Sequence, residues 1–69
     1  MDEMKAYKII EEKYINNYDE LVDSLYHYMK YYLMDRTCID VCMFQDEIEN
    51  LIGIRNHEDI MNYILKEEV

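Results

Sequence analysis

Residues 18–34 have the sequence YDELVDSLYHYMKYYLM, which contains five of the chain's eight tyrosines. Its apolar side chains follow the i, i+3, i+4, i+7 spacing that places them on one face of an α-helix. They are Tyr18, Leu21, Val22, Leu25, Met29, Tyr32 and Leu33. Such a helix is about 26 Å long at 1.5 Å per residue, enough to run the length of a small domain. We therefore predict that residues 18–34 form the central helix of the fold.

Short polar breaks divide the rest of the chain into three further helices. Three residue pairs have the spacing of a capping box: Asn17 with Glu20, Thr37 with Asp40, and Asn56 with Asp59. Gly53 follows the third pattern, where a left-handed residue commonly ends a helix. The predicted helices cover residues 2–15, 18–34, 38–52 and 57–67. We expect an all-α fold, a small four-helix array or irregular bundle with antiparallel neighbours, that forms a single domain over residues 1–69.

The apolar stripe of each helix predicts which side chains form the core. The predicted core positions outside the central helix are Met4, Tyr7, Ile10 and Tyr14 in the first, Cys38, Val41, Phe44, Ile48, Leu51 and Ile52 in the third, and Ile60, Met61, Ile64 and Leu65 in the fourth. Tyr26 and Tyr28 fall at the two margins of the central stripe. There a tyrosine ring can be buried while its hydroxyl reaches water.

The chain has a net charge of −9, from 16 acidic and 7 basic residues. This charge opposes binding to a nucleic-acid backbone or to an anionic membrane, and it favours a protein partner with a basic surface. The alternative is that acidic residues only keep a small protein in solution. No apolar run reaches the roughly 20 residues of a membrane-spanning helix, and the N-terminus lacks an apolar signal core. We expect a soluble cytoplasmic protein. The abundance of Ile, Tyr, Asn and Lys is typical of AT-rich genes, such as those of low-GC bacteria, their phages and some large DNA viruses.

Groups that could carry chemistry are few. Cys38 and Cys42 lie one turn apart on a helix, which is poor geometry for a disulfide, so a reducing compartment fits them. A zinc site needs about four ligands, and the spacing of these cysteines to His27 or His57 matches no zinc-finger pattern. Adjacent carboxylates on a helix point about 100° apart and do not face each other across a cleft. The sequence predicts a protein that is not an enzyme and uses no metal and no cofactor.

Two groups of side chains are candidates for contact with a partner. Tyr31 and His27 lie on the side of the central helix away from its core stripe, and tyrosine is enriched at binding hot spots. The alternative is that Tyr31 packs against the first or the fourth helix. Ile39 and Met43 lie one turn apart on an otherwise polar face of the third helix. The alternative for this pair is that another helix covers it.

These features give a leading hypothesis and an alternative. The first is a protein-binding module, a small acidic inhibitor or modulator of a partner with a basic surface, which in one version imitates the phosphates of nucleic acid. Its predicted contact residues are Tyr31, His27, Ile39, Met43, Asp46 and Glu47. The alternative is a homo-oligomeric structural or assembly protein, in which a homodimer buries the exposed apolar side chains. A helix-turn-helix regulator is disfavoured, because the fourth helix is acidic where a recognition helix is basic.

Overall fold

A computed structural model describes residues 2–66 of the chain, and this part consists of four helices joined by short turns. The helices are α1 (Glu3–Asn16), α2 (Glu20–Met34), α3 (Ile39–Ile52) and α4 (His57–Lys66). The described residues contain no strand. The all-α four-helix prediction is confirmed. Glu67, the predicted last residue of the fourth helix, lies outside the described residues.

The first two helices begin at aspartates whose side chains accept hydrogen bonds from the first turn. Asp2 Oδ1 accepts from the Lys5 amide at 2.9 Å, and Asp19 Oδ1 accepts from the Val22 amide at 2.8 Å. The predicted cap at Asn17 is wrong. Asn17 instead ends α1, because its amide donates to the Lys13 carbonyl at 2.7 Å. α2 therefore begins two residues later than the capping-box spacing indicated.

The start of α3 also differs from the prediction. The Thr37 amide and hydroxyl both donate to Asp35 Oδ1, at 3.0 and 2.7 Å, and these bonds lower the pKa of Asp35. Because Thr37 is bonded back to the preceding turn, it does not cap α3. The cap position is Cys38, whose side chain makes no capping hydrogen bond.

The end of α3 and the start of α4 follow the sequence signals. Gly53 ends α3 with φ 78° and ψ 13°, the left-handed conformation that a residue without Cβ adopts at little cost. Its amide donates to the Glu49 carbonyl. Asn56 then caps α4, because its Oδ1 accepts from the Glu58 amide at 2.8 Å. Both boundary signals are confirmed.

α2 is the centre of the array, since it packs against both α1 and α3, while α4 packs against α1. His57, the first residue of α4, hydrogen-bonds Glu3, the first residue of α1. Further along, Ile64 of α4 and Ile10 of α1 line the same pocket. α1 and α4 therefore run in the same direction. The expectation of antiparallel neighbours concerned helices joined by short connections, and α1 and α4 are not joined in this way.

The buried residues confirm most of the predicted apolar stripes. In α1 the buried face is rotated relative to the predicted stripe. The buried apolar side chains of the core are Ala6, Ile10, Val22, Leu25, Tyr28, Met29, Val41, Ile48, Ile60, Met61 and Ile64. Met4 is exposed and Ala6 is buried, so α1 presents a slightly different face than the pattern predicted.

Tyr28 is fully buried rather than marginal, because its hydroxyl bonds to His57 of α4. Tyr18 is exposed because it precedes the first turn of α2, and Leu33 and Leu51 are each more than a third exposed.

Substitution of Ser24 tests a defect in this core. The Ser24 side chain is 1% exposed, and its hydroxyl has no hydrogen-bond partner among residues 2–66. A buried hydroxyl without a partner costs about 1 to 3 kcal/mol, so we expect Ser24→Ala to raise the unfolding free energy by about 1 kcal/mol. Thr37→Ala is the contrasting control, because the Thr37 hydroxyl is bonded and its loss should lower stability. Urea denaturation measures both, and a destabilised Ser24→Ala variant would contradict the assignment.

Candidate protein-binding surface

Two apolar side chains project from the outer side of α3. Ile39 is 82% exposed and Met43 is 51% exposed. On a helix with about 100° per residue they lie on one side, whereas the buried Val41 and Ile48 lie opposite and form part of the core. We call Ile39 and Met43 the α3 ridge. Among the described residues no helix covers the ridge, so the alternative that another helix packs over it is wrong.

The two acidic residues predicted beside the ridge have different environments. Arg55 donates a hydrogen bond to Asp46 and lies 3.4 Å from Glu49, and the bond to Asp46 raises the pKa of Arg55. The Asp46 charge is therefore compensated within the chain. Glu47 is exposed and forms no ion pair with any residue between 2 and 66. Of the two, Glu47 is the carboxylate available to a partner.

His27 and Tyr31 are packed between helices rather than displayed on the surface. Their rings stack on the Phe44 ring of α3, with centroids 5.4 and 5.9 Å away. Tyr14 of α1 contacts His27 edge to face, and His27 Nδ1 lies 3.2 Å from the Asp23 carboxylate. Both side chains are half-buried. The partner of Tyr31 is therefore α3, not the first or fourth helix. A role for His27 or Tyr31 in binding a partner stays a prediction.

A second apolar surface lies where the start of α1 meets the end of α2. It is a shallow groove of 340 Å³ lined by Met4, Tyr7, Lys30, Leu33 and Met34, which we call the methionine groove. Met4 and Met34 are 54% and 70% exposed. Methionine adapts its shape to an apolar partner because its side chain is unbranched and polarizable. The sequence analysis missed this groove, because Met4 and Leu33 were placed in the core.

A pocket on the other side of α1 has a different character. Its volume is 330 Å³, and it lies between α1, α4 and the first half of α2. Ile10, Leu25 and Ile64 form its buried floor, and Lys13 and Asp19 lie among its polar lining residues. Asp19 already serves as the cap of α2. The pocket lies away from the α3 ridge and is lined by none of the predicted contact residues.

One polar contact joins three helices. The Tyr28 hydroxyl lies 2.6 Å from His57 Nδ1, and His57 Nε2 lies 2.8 Å from Glu3 Oε2. Tyr32 stacks on the His57 ring with centroids 3.9 Å apart. The order hydroxyl, imidazole, carboxylate occurs in catalytic sites. Here Tyr28 has no exposed surface, and neither described pocket is lined by these residues. The contact fixes α4 against α1 and α2.

Two other classes of site are absent from residues 2–66. No group of three or more His, Cys, Asp or Glu side chains is arranged to hold a metal ion. No helix in this range has the length and apolar character needed to cross a bilayer. Cys38 and Cys42 are both free thiols, and Cys42 Sγ lies 3.5 Å from the Arg55 guanidinium.

The pH dependence of stability tests the burial of Tyr28. Burial raises the pKa of Tyr28, and the neighbouring Tyr32 and Glu3 add to this shift. The folded chain therefore keeps this proton at a pH where the unfolded chain, with a tyrosine pKa of about 10, has lost it. The stabilising effect is complete below about pH 10 and is lost as the pH rises further. Tyr7 acts in the same direction, since a hydrogen bond with Tyr26 raises its pKa to about 12.

We expect Tyr28→Phe to lower the unfolding free energy by about 0.5 to 1.5 kcal/mol at neutral pH, because one hydrogen bond is lost. The same variant should lose less stability than the parent between about pH 9 and about pH 11, because its residue 28 no longer titrates. Urea denaturation at a series of pH values measures both effects. An unchanged slope in the variant would mean that the Tyr28 hydroxyl is not shielded from water.

Comparison of the chain with protein-family models, with curated proteins and with solved structures found no match. The features that point to a function are therefore the α3 ridge, the methionine groove and the charges beside them.

Proposed function

We propose that this chain is a non-enzymatic protein-binding module that occupies a basic surface of a partner protein and so inhibits or modulates it. The observation that carries the proposal is the α3 ridge, two large apolar side chains on the surface of a chain with a net charge of −9. Charge of this magnitude directs the chain toward a basic surface. The exposed ridge supplies the apolar contact area that charge alone does not give.

The α3 ridge has the composition of an interface centre with a charged border. Apolar anchors that lose their contact with water provide most of the binding energy of typical interfaces, and charges at the rim affect the association rate and specificity. Ile39 and Met43 are suited to the first role and Glu47 to the second. Asp46 contributes less, because Arg55 already pairs with it. In the version of the proposal in which the chain imitates nucleic acid, such exposed carboxylates take the place of phosphates.

The free thiols support the finer proposal that the module works in a reducing intracellular compartment, since an exposed cysteine such as Cys42 oxidises readily outside one.

Affinity capture with matched variants tests this function. The purified chain is immobilised and exposed to a lysate, and the bound proteins are compared with those held by Ile39→Glu and Ile15→Glu. Ile15 is 73% exposed near the end of α1, so the two variants place the same charge at two exposed apolar positions. We expect Ile39→Glu to weaken binding of a basic partner by about 2 kcal/mol or more, roughly thirtyfold, and Ile15→Glu to retain it.

Both variants should melt close to the parent, because substitutions at exposed positions usually change stability by less than about 0.5 kcal/mol. Added salt should weaken capture, since screening reduces the attraction between exposed charges. Recovery of partners with no basic surface, or equal recovery by the two variants, would refute the proposal.

The second candidate function is a homo-oligomeric structural or assembly protein. The methionine groove favours it, because Met4 and Met34 remain exposed in the single chain and a second copy would bury them. The two candidates are compatible, since a dimer can present its acidic surfaces to a partner.

A further inference from the structure

We propose that the α3 ridge of one copy binds in the methionine groove of a second copy, so that self-association covers the ridge and competes with the partner. This inference rests on the proposed function, because that function assigns the ridge to the partner. In this proposal the molecule that occupies the groove is a second copy of this chain.

The first argument is the match between two uncovered apolar surfaces. The ridge is convex, since Ile39 and Met43 project from a single helix. The groove is concave, since Met4 and Met34 border a shallow depression between α1 and α2. An apolar ridge on a helix that lies in an adaptable, methionine-bordered groove is a recurring mode of protein recognition.

The groove and the ridge also carry opposite charges. Lys30 lines the groove, and Glu47 lies one turn from Met43 on the ridge side of α3. Lys30 and Glu47 are both exposed, and within residues 2–66 neither forms an ion pair. Insertion of the ridge brings these opposite charges together. The chain is otherwise strongly acidic, so a basic side chain at the groove reduces the repulsion between two copies that a net charge of −9 produces.

The third argument is symmetry. Met34 ends α2 and Ile39 begins α3, and these two residues are five positions apart along the chain. The groove and the ridge therefore lie at the same end of the molecule. A two-fold axis near the turn between these helices allows each copy to insert its ridge into the groove of the other. Such a reciprocal interface closes after two copies, as most homo-oligomers do, and does not propagate into a filament.

The consequence is regulation by concentration. Only the free monomer exposes the ridge, so a partner that binds the ridge draws molecules away from the dimer by mass action. The apparent affinity for the partner is then reduced by the fraction of chain held in the dimer. A variant that cannot dimerise but keeps the ridge intact should bind the partner more tightly than the parent.

Charge exchange between the groove and the ridge tests the interface. Sedimentation equilibrium is measured from micromolar to millimolar protein for the parent, Lys30→Glu, Glu47→Lys and the double variant. Each single variant places two pairs of like charges in the dimer, so we expect its dissociation constant to rise about tenfold or more. The double variant restores both pairs and should dimerise like the parent. Lys66→Glu and Glu12→Lys make the same changes in net charge at other exposed positions and should leave the dimer intact.

The results separate this inference from the proposed function. A parent that stays monomeric at every concentration overturns the inference, and so does a dimer that tolerates both single variants or is not restored in the double variant. Sedimentation uses no partner, so these results leave the proposed function unaffected. Conversely, restored dimerisation in the double variant supports the inference even if capture experiments recover no basic partner for the ridge. In that case only the proposed competition between the dimer and a partner would be refuted.

Discussion

Burial of one broad face of α2 is the constraint on which the rest of this structure depends. A chain of 69 residues has little apolar material to spare, and α2 supplies Tyr28 and Met29, the largest of the fully buried side chains among residues 2–66. α1 and α3 pack against α2. α4 packs against α1 near Ile10, and its His57 is hydrogen-bonded to Tyr28 of α2. The α3 ridge lies on the side of its helix away from the buried Val41 and Ile48, so no helix among the described residues covers it.

The sequence predicted the number, order and approximate limits of the helices, because apolar periodicity and polar breaks are local signals. It was less successful where two local signals competed. Asn17 and Asp19 both have capping side chains, and only the end of α1 at Asn17 decides that Asp19 begins α2. The exposure of Met4 and the burial of Tyr28 depend on how α1 and α4 rotate against α2, which no single helix encodes.

The candidate surface also contains some residues that the sequence could identify and others whose role depends on the fold. Ile39 and Met43 could be recognised because two apolar side chains interrupt a polar face within one helix. The methionine groove could not, since it exists only after α1 and α2 have paired. The different availability of Asp46 and Glu47 also depends on the fold, because Arg55 approaches Asp46 from the turn after α3. His27 and Tyr31 were predicted to lie on the side of α2 away from the core, whereas both are half-buried on Phe44. This packing could not be predicted without the position of α3.

The parallel pairing of α1 and α4 has a consequence for the order of folding. α1 with α2, and α2 with α3, are neighbours along the chain, whereas the contact between Glu3 and His57 joins residues 54 positions apart. Closing a long loop costs more chain entropy than closing a short one, and contacts of low sequence separation form sooner. The first three helices can therefore associate before α4 reaches its place. Because α4 covers Tyr28, the core stays partly open to water until this last step.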